Sequence, residues 1–304
     1  MKVAVTGATG LVGSALVPFL LSGGHEVVPL RRAPAGGSGD GDAPGWDPQT
    51  GALSPGVADG LDAVVHLAGE NIAAGRWTAA RKARIRDSRV NGTGRLAEAL
   101  ATLAGPPRTL VVASAIGFYG DRGDDVLDET SAPGEGFLPG VCQSWEASAA
   151  PAREAGIRVV HLRIGIVLTP AGGALGQMLL PFRMGVGGVI GTGRQYMSWV
   201  ALDDVLGGVL HALRTEDLAG AVNMVSPNAV TNREFTKTLG RVLRRPTVFP
   251  LPAFGARLAF GEMADALLLA SSRVVPGRLR DSGFEFRYPG LEDALRHLLG
   301  RAAS

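Results

Sequence analysis

The chain begins with a short apolar strand, a glycine-rich turn and an apolar helix, and this order constrains the fold more than any other feature. The turn, residues 6–13, has the sequence Thr-Gly-Ala-Thr-Gly-Leu-Val-Gly. In a dinucleotide-binding turn of this kind, Gly7 allows a tight reversal, Gly10 leaves room for a pyrophosphate, and Gly13 lets the helix pack closely on the strand. The free N–H groups and positive dipole end of the helix favour the phosphates. The pattern predicts a nucleotide site, with an ordinary glycine-rich turn as the alternative.

The end of the second predicted strand indicates which dinucleotide would bind. Roughly twenty residues beyond the glycine turn, a cofactor with a free 2′-hydroxyl requires an Asp or Glu. This chain has Arg31 and Arg32 at that place instead. Two guanidinium groups suit a 2′-phosphate, because each can form bidentate charge-assisted hydrogen bonds. The sequence therefore predicts NADP(H) rather than NAD(H), with a solvated basic loop as the alternative.

Composition excludes several classes of protein. The 304 residues carry a formal net charge of +2, which is too small to indicate nucleic-acid binding. The single cysteine, Cys142, excludes an internal disulfide and fits a reducing compartment. No apolar run approaches the ~18 residues of a membrane helix, and a strand at the N-terminus leaves no room for a signal peptide. We expect a cytoplasmic protein that binds a small-molecule substrate but no nucleic acid, membrane or metal; its oligomeric state stays open, a homodimer included.

Apolar strands recur along the chain, and helical stretches separate them. This alternation is typical of a parallel sheet that helices cover on both faces. The predicted fold class is therefore α/β, a doubly wound parallel Rossmann sheet with a smaller C-terminal α-rich substrate domain. We expect residues 1–168 to form the NADP-binding Rossmann domain, with 199–225 returning to it, and residues 169–304 to form the smaller domain. The predicted strands of the first domain are residues 2–5, 26–30, 62–69, 109–114 and 158–168.

Two later stretches allow more than one interpretation. A helix predicted over 77–103 carries five basic residues in its first half, which fit a solvated face, a weak nucleic-acid patch, or contacts with cofactor phosphates. Residues 172–193 combine eight glycines with bulky apolar residues, which we interpret as core, with substrate contact as the alternative. The next helix is predicted to begin within 197–204, with Asp203 as its N-cap. His66, between apolar neighbours, is interpreted as a buried structural histidine.

The carboxyl end of the strand over 109–114 is where chemistry is expected. Ligands of doubly wound sheets bind at the carboxyl ends of the strands. Ser114 is the last residue of this strand, and Tyr119 lies five residues beyond it. A polar, glycine-rich loop over 121–139 could cover the site, and a helix is predicted over 142–155.

Several motifs together resemble the extended short-chain dehydrogenase/reductase superfamily, namely the glycine turn, residues 90–93, Ser114 and residues 162–168. More narrowly, residues 67–72, 88–93, 180–185, 191–195 and 284–289 resemble an atypical subgroup, the epimerase family proteins. Members of that subgroup are also described as nucleoside-diphosphate-sugar epimerases, and they carry a short extra C-terminal domain. The resemblance covers nearly the whole chain and implies an NADP(H)-binding Rossmann core. With the turn, the predicted cofactor contacts are Gly7, Thr9, Gly10, Leu11, Val12, Gly13, Leu30, Arg31, Arg32, Leu67, Ala68, Gly69, Arg84, Arg89, Ser114 and Arg163.

The acid/base pair of that superfamily, Tyr-x-x-x-Lys, is missing from the sequence. The lysine of such a pair lowers the phenol pKa from about 10, so that the tyrosine can exchange a proton near neutrality. None of the three tyrosines, at 119, 196 and 288, has a lysine four positions later. The place expected for the pair, residues 141–146, reads Val-Cys-Gln-Ser-Trp-Glu.

Three functions therefore remain open, of which the last, nucleic-acid binding, rests only on the basic residues of the helix over 77–103. The first is an oxidoreductase or epimerase of a carbonyl or sugar-nucleotide substrate, with substituted catalytic groups. In that case Tyr119 would be the phenol, held near Ser114, and Glu146 a carboxylate whose pKa burial could raise. Cys142 could add a thiol, although an inert buried cysteine is the alternative. The second function is a non-catalytic NADP(H)-binding sensor or scaffold.

Overall fold

The computed structural model describes residues 1–32 and 45–301, and a seven-stranded parallel sheet lies at its centre. Residues 33–44 and 302–304, which the predicted domains include, lie outside the described residues. In chain order the described strands are β1 (Lys2–Thr6), β2 (Glu26–Arg32), β3 (Gly45–Trp46), β4 (Ala63–His66), β5 (Thr109–Ala115), β6 (Val126–Leu127), β7 (Arg158–Ile164), β8 (Ile166–Leu168), β9 (Tyr196–Met197), β10 (Trp199–Ala201), β11 (Gly220–Met224), β12 (Val230–Thr231) and β13 (Arg273–Val274).

The order of strands in the central sheet is β11-β7-β5-β4-β1-β2-β3. All of its neighbouring pairs are parallel. From β1 the chain first builds outward through β2 and β3, then returns to β4 on the other side and builds outward again. This reversal makes the sheet doubly wound and opens a crevice at the carboxyl ends of β1 and β4, where such sheets bind ligands. The predicted fold class is confirmed.

Helices cover both faces of this sheet and form most of the C-terminal region. A 3₁₀ turn, Ile116–Phe118, follows β5, and a single π turn, Asp265–Leu269, lies near the C-terminus. In chain order the described α-helices are α1 (Gly13–Ser22), α2 (Ala79–Ala101), α3 (Phe137–Ala147), α4 (Ala150–Glu154), α5 (Gly173–Arg183), α6 (Leu202–Arg214), α7 (Asn232–Leu243), α8 (Ala253–Phe260), α9 (Glu262–Ala264), α10 (Gly277–Asp281) and α11 (Leu291–Leu298).

Alternating side chains divide the core of the sheet into two layers. Val3 and Val5 of β1 face one layer, with Leu16 of α1. Ala4, between them, faces the opposite layer, with Leu96 of α2. Successive side chains of a strand point to opposite faces. Because both faces are buried, the strands read in the sequence as nearly continuous apolar runs.

A smaller group of elements packs around its own apolar cluster beside the sheet. Helices α5, α7 and α11 contribute to it, with fully buried Trp199 of β10 at its centre. Helix α7 begins at a capping box in which Thr231 and Glu234 satisfy each other's backbone N–H groups. Strand β11 follows α5 and β10 in the chain and joins the central sheet beside β7. The division of the chain at residue 168 stays a prediction.

The structure corrects three helix boundaries. The helix predicted over 77–103 spans Ala79–Ala101, and the helix predicted over 142–155 is divided into α3 and α4. Helix α6 begins only at Leu202, because residues 199–201 pair with β8, and Asp203 does not cap it. The neighbouring Asp204 is buried instead and accepts hydrogen bonds from the backbone N–H groups of Arg287 and Tyr288.

Candidate functional site

The glycine turn between β1 and α1 has no room for a side chain at Gly7 or Gly13. Gly7 has a φ of +68°, and a Cβ added there would lie 2.7 Å from the carbonyl carbon of Leu67. A Cβ at Gly13 would lie 2.2 Å from the carbonyl oxygen of Gly7. The turn is closed by a 2.9 Å hydrogen bond from the Gly10 N–H to that same oxygen. The backbone is therefore shaped as a pyrophosphate-binding turn requires.

A cavity of about 1770 Å³ opens beside this turn and extends along the ends of β2 and β4 to the outer face of α2. Trp46, Ser88 and Asn91 also line the cavity, and none of them is among the predicted cofactor contacts. Only the tertiary structure brings these three to the strand ends. The predicted cofactor residues among those lining it are Gly7, Thr9, Gly10, Leu30, Arg31, Arg32, Leu67, Ala68, Gly69 and Arg84. The other six, Leu11, Val12, Gly13, Arg89, Ser114 and Arg163, are not among them.

Three arginines bring positive charge to the cavity lining. Arg31 and Arg32 end β2 with exposed side chains, and Arg84 reaches the cavity from α2. Within the ranges 1–32 and 45–301, none of the three forms an ion pair with a carboxylate. Their guanidinium groups are thus available to an anion that enters from solvent.

His66 fixes the end of β4 against the glycine turn. It is fully buried, and its Nδ1 lies 2.7 Å from the hydroxyl oxygen of Thr6, the last residue of β1. The same hydroxyl accepts a 3.4 Å hydrogen bond from the Ala68 N–H. Burial lowers the pKa of His66 to about 4, so the imidazole is neutral near pH 7. A structural role, as interpreted from the sequence, agrees with this environment.

Ser114, Glu146 and Arg163 form a hydrogen-bonded triangle at the carboxyl end of β5. Ser114 lies directly beside Arg163 of β7 in the sheet register, and Glu146 reaches both from α3. The Ser114 hydroxyl donates a 2.7 Å hydrogen bond to Oε1 of Glu146. Two further bonds of 2.8 Å join Nε and Nη2 of Arg163 to the same carboxylate. The triangle occupies the region where the superfamily's acid/base pair is expected.

Arg163, which the resemblance implies as a cofactor contact, is occupied inside the protein. Only 5% of the residue is exposed, and its guanidinium stacks 3.5 Å from the centre of the Phe118 ring. Its third nitrogen, Nη1, donates a 3.0 Å bond to the Tyr119 hydroxyl. All three guanidinium nitrogens are therefore engaged by protein groups, which fits a structural role for this side chain better than a contact with a cofactor.

Tyr119, predicted as the proton-exchanging phenol, contacts Arg163 rather than Ser114. It is fully buried, and its hydroxyl donates a 2.7 Å hydrogen bond to Oδ1 of Asn223. Burial raises the pKa of this phenol, so it is a poor proton donor near neutrality. These contacts fit a structural role, and they leave Ser114 and Glu146 as the predicted catalytic residues that touch each other.

Cys142 belongs to α3, and Arg89 of α2 packs against the same helix. The Cys142 thiol is buried one turn before Glu146, and burial raises its pKa to about 12, which fits the inert alternative. The Arg89 guanidinium lies over the Trp145 ring, 5.1 Å from its centre, and Nη1 donates a 3.0 Å bond to the carbonyl of Ile85. A Cβ on Gly69 would lie 3.5 Å from this guanidinium. Arg89 thus faces the end of β4, and burial lowers its pKa.

Two negative findings apply to the described residues, 1–32 and 45–301. No group of three or more His, Cys, Asp or Glu side chains among them is arranged to hold a metal ion. None of the helices in these ranges has the length and apolar character needed to span a bilayer.

Comparison with known proteins shows the family of the chain. A 43% identical relative, the epimerase family protein Mb2239 of Mycobacterium bovis, aligns over 98% of both chains. The epimerase family protein SDR39U1 of Bos taurus is 37% identical over 98% of this chain and 100% of its own. The crystal structure of human SDR39U1 (isoform2) with NADPH superposes with a TM-score of 0.90 at 35% identity, covering 99% of this chain and 100% of that one.

Two family models match separate parts of the sequence. Residues 251–298 match a domain of unknown function, DUF1731, which corresponds to the short extra domain that the resemblance implies. The second model, that of the NAD dependent epimerase/dehydratase family, matches residues 3–225. These residues include the glycine turn and the strands of the central sheet. The chain is therefore a member of the NAD dependent epimerase/dehydratase family.

Proposed function

We propose that this chain is an NADP(H)-dependent oxidoreductase or epimerase-like enzyme acting on a small carbonyl or alcohol substrate. The observation that carries the proposal is one cavity that adjoins the glycine turn, where Gly7 and Gly13 leave no room for a Cβ, and that is also lined by three arginines without a carboxylate partner among the described residues. A dinucleotide bound in this cavity would place its pyrophosphate on the turn and its 2′-phosphate on the arginines. The NADPH in the human SDR39U1 crystal supports the same choice of cofactor.

Cofactor preference follows from the charge at the end of β2. Arg31, Arg32 and Arg84 offer bidentate donors to a 2′-phosphate, and a hydrogen bond to a charged group contributes about 1.5–3 kcal/mol. NADH has a hydroxyl at that position and would leave the guanidinium groups without an anion. We therefore infer that NADPH binds at least tenfold more tightly than NADH, since about 1.4 kcal/mol corresponds to a factor of ten.

Ser114 and Glu146 are the groups we assign to proton transfer. The bound nicotinamide would supply hydride chemistry. In the oxidative direction the substrate hydroxyl gives its proton to the Ser114 oxygen, while the Ser114 proton passes along the 2.7 Å hydrogen bond to Glu146. Arg163 holds the carboxylate in place through its two bonds. In the reductive direction both protons move back, and the carbonyl oxygen of the substrate becomes the hydroxyl group of the product.

A non-catalytic NADP(H) sensor or scaffold is the second candidate function. The observation that favours it is the bidentate ion pair between Glu146 and Arg163, because both oxygens of that carboxylate are already occupied by hydrogen bonds from the guanidinium. The missing Tyr-x-x-x-Lys pair points in the same direction. A small-molecule partner, a cytoplasmic location and a lack of nucleic-acid binding are parts of the proposal under either function.

Calorimetry with the two reduced nucleotides tests the shared part of both functions. The double variant Arg31→Ser/Arg32→Ser should weaken NADPH binding at least tenfold and leave NADH binding nearly unchanged. Arg95→Ser, at an exposed arginine of the same cavity that already pairs with Glu98, is the matched control. No heat with either nucleotide would reject both functions.

Turnover then separates the enzyme from the sensor. NADPH consumption is measured with a panel of aldehydes, ketones and sugar nucleotides, for the native chain and for Ser114→Ala. Turnover that Ser114→Ala lowers at least a hundredfold, with unchanged NADPH affinity, supports the enzyme. Tight NADPH binding with no turnover across the panel supports the sensor.

A further inference from the structure

Three polar side chains lie side by side at the carboxyl end of the central sheet. Ser114 of β5 is the register partner of Arg163 of β7, and Arg163 is in turn the partner of Asn223 of β11. Directly opposed side chains of neighbouring strands lie on the same face of a sheet. All three residues are buried, Asn223 completely. Ser114 and Arg163 have roles in the proposed function, whereas Asn223 is not among the predicted site residues.

A continuous series of hydrogen bonds, which we call the polar network, connects Asn223 to Ser114. Oδ1 of Asn223 accepts a 2.7 Å bond from the Tyr119 hydroxyl, whose oxygen accepts a 3.0 Å bond from Nη1 of Arg163. Nε and Nη2 of Arg163 each donate a 2.8 Å bond to the Glu146 carboxylate. The Ser114 hydroxyl donates a 2.7 Å bond to the same carboxylate. Asn223 is thus linked, bond by bond, to the groups assigned to proton transfer.

The backbone carbonyl of Val275 sets the direction of the polar network. A carbonyl can only accept a hydrogen bond, so the amide of Asn223 turns Nδ2 toward it, at 3.0 Å. Oδ1 of that amide then faces Tyr119 and needs a donor. Burial raises the pKa of the Tyr119 phenol, so the hydroxyl keeps the proton that it donates there. Its oxygen is left to accept the bond from Arg163.

The consequence of this direction reaches Ser114. Since Nη1 of Arg163 is bonded to Tyr119, the other two guanidinium nitrogens hold the Glu146 carboxylate. Both carboxylate oxygens accept, so the Ser114 hydroxyl has to donate to one of them. The lone pairs of the Ser114 oxygen then remain to accept the proton of a substrate hydroxyl, as the proposed function requires.

The C-terminal region holds the far end of the polar network. Val275 lies within residues 251–298, which match the domain of unknown function. Its N–H donates a 2.9 Å hydrogen bond to the carbonyl of Leu127 in β6, which fixes its backbone. Oε1 of Glu129 accepts a 2.9 Å bond from the backbone N–H of Asn223. The polar loop predicted to cover the site, to which Leu127 and Glu129 belong, therefore connects β11 with the C-terminal region.

We propose that Asn223 is a positioning residue for the proton transfer, and that the C-terminal region fixes the orientation of Ser114 and Glu146 through it. The inference rests on the proposed function, in which these two groups exchange the proton. Asn223 acts through Tyr119 and Arg163, not through contact with the substrate. A buried network whose members are all bonded restricts each of them to one arrangement. A purely structural role for Asn223, which would stabilise the fold without affecting turnover, is the alternative outcome of the test.

Asn223→Leu tests this role, because leucine keeps the volume of the side chain and removes both of its hydrogen bonds. Asn232→Leu is the matched control: Asn232 is also buried, accepts a bond from the Ile190 N–H, donates one to the Met197 sulfur, and lies outside the polar network. Both variants should lower the free energy of unfolding in urea. Turnover is measured with the member of the carbonyl panel that consumes NADPH fastest. Only Asn223→Leu should lower kcat, by about tenfold or more, while KM and NADPH affinity stay within about threefold of the native values.

Tyr119→Phe interrupts the same polar network with a smaller change in shape, and it should lower kcat to a similar extent. Since both side chains act in one series of bonds, the double variant Tyr119→Phe/Asn223→Leu should have a kcat within about threefold of that of Asn223→Leu. Losses that multiply in the double variant would show that the two residues act independently, which would overturn the inference.

Exchange of the Arg163 Nε proton with water, followed by ¹⁵N NMR on the full chain loaded with NADPH, supplies a readout that does not depend on turnover. The signal is identified by its absence in Arg163→Met. The exchange rate should rise at least about tenfold in Asn223→Leu and stay unchanged in Asn232→Leu, because only the first loosens the bonds from Arg163 to Glu146. Unchanged exchange in Asn223→Leu, or a kcat that falls equally in both asparagine variants, would contradict the positioning role.

Turnover of the native chain separates this inference from the proposed function. NADPH binding without turnover in the native chain rejects the proposed function and, with it, this role of Asn223. Native turnover with a normal kcat in Asn223→Leu rejects only the role of Asn223.

Discussion

Replacing Arg163 by methionine distinguishes a buried structural arginine from a cofactor contact. The side chains of Arg163 and Glu146 are 6% and 13% exposed, and two hydrogen bonds of 2.8 Å join them. Methionine retains apolar volume but leaves the Glu146 carboxylate buried without its cation. Removing one partner of a buried ion pair lowers the free energy of unfolding by about 3–5 kcal/mol. In a chain of this size, the Tm should fall by roughly 5–8 °C.

Urea unfolding followed by circular dichroism measures this loss, and NADPH calorimetry accompanies it. Arg95→Met is the control, because the Arg95–Glu98 pair is 53% and 56% exposed and should contribute less than about 1 kcal/mol. The double variant Glu146→Gln/Arg163→Met should recover part of the stability, since it removes the unpaired charge. NADPH affinity should stay within about threefold of the native value in Arg163→Met, because Arg163 is not among the residues lining the cavity.

Two results would refute this reasoning. A loss below about 1 kcal/mol would mean that the ion pair is not buried in solution. A tenfold weaker NADPH affinity at unchanged stability would place Arg163 at the cofactor, as the family resemblance implies.

Three further predictions follow from single contacts. Gly13→Ala should abolish NADPH binding in calorimetry, because its Cβ would lie 2.2 Å from the Gly7 carbonyl oxygen. Gly105→Ala is the control: it has an ordinary backbone conformation and no atom within 4 Å of the added Cβ, so it should bind NADPH normally. Tyr119→Phe should lower the free energy of unfolding by about 1–3 kcal/mol, because it removes the hydroxyl that Arg163 and Asn223 bond in the interior. A change in the pH profile of turnover would contradict this structural role and indicate that the phenol exchanges a proton with the substrate. Burial lowers the pKa of His66 from 6.5 to about 4, so the unfolded chain binds more protons than the folded chain between these pH values. The free energy of unfolding should therefore fall by roughly 3 kcal/mol as the pH drops from 6.5 to 4. Urea unfolding at a series of pH values should lack this part of the pH dependence in His66→Gln, whereas His297→Gln should keep it.

The parts of the fold that the sequence predicted correctly depend on local pattern. The glycine turn, the apolar strands and the helical spacing are each written in a few consecutive residues, and short-range sterics and periodicity determine their structure. Helix boundaries were less certain, because sheet pairing competes with helix formation. Residues 199–201 pair with β8, and this delays the start of α6 to Leu202.

The candidate site was predictable in its list of residues but not in its contacts. Ser114 and Glu146 are 32 residues apart and meet only because α3 packs over the end of β5. Arg84 and Arg89 lie five residues apart on one helix, yet Arg84 lines the cavity and Arg89 lies over Trp145. A five-residue step on a helix turns the side chain far around the axis, so only the docked position of α2 decides which of them faces a ligand.

The sequence by itself determined that a nucleotide-binding turn opens a doubly wound sheet, because glycine sterics and apolar periodicity act within a few residues. Only the tertiary structure decided which polar groups are still free to bind. Arg163 and Tyr119 are bonded inside the protein, whereas Arg31 and Arg32 have no carboxylate partner within the described residues. The physical reason is that a charge is available to a ligand only when no neighbour in the folded chain has neutralised it, and those neighbours come from distant parts of the sequence.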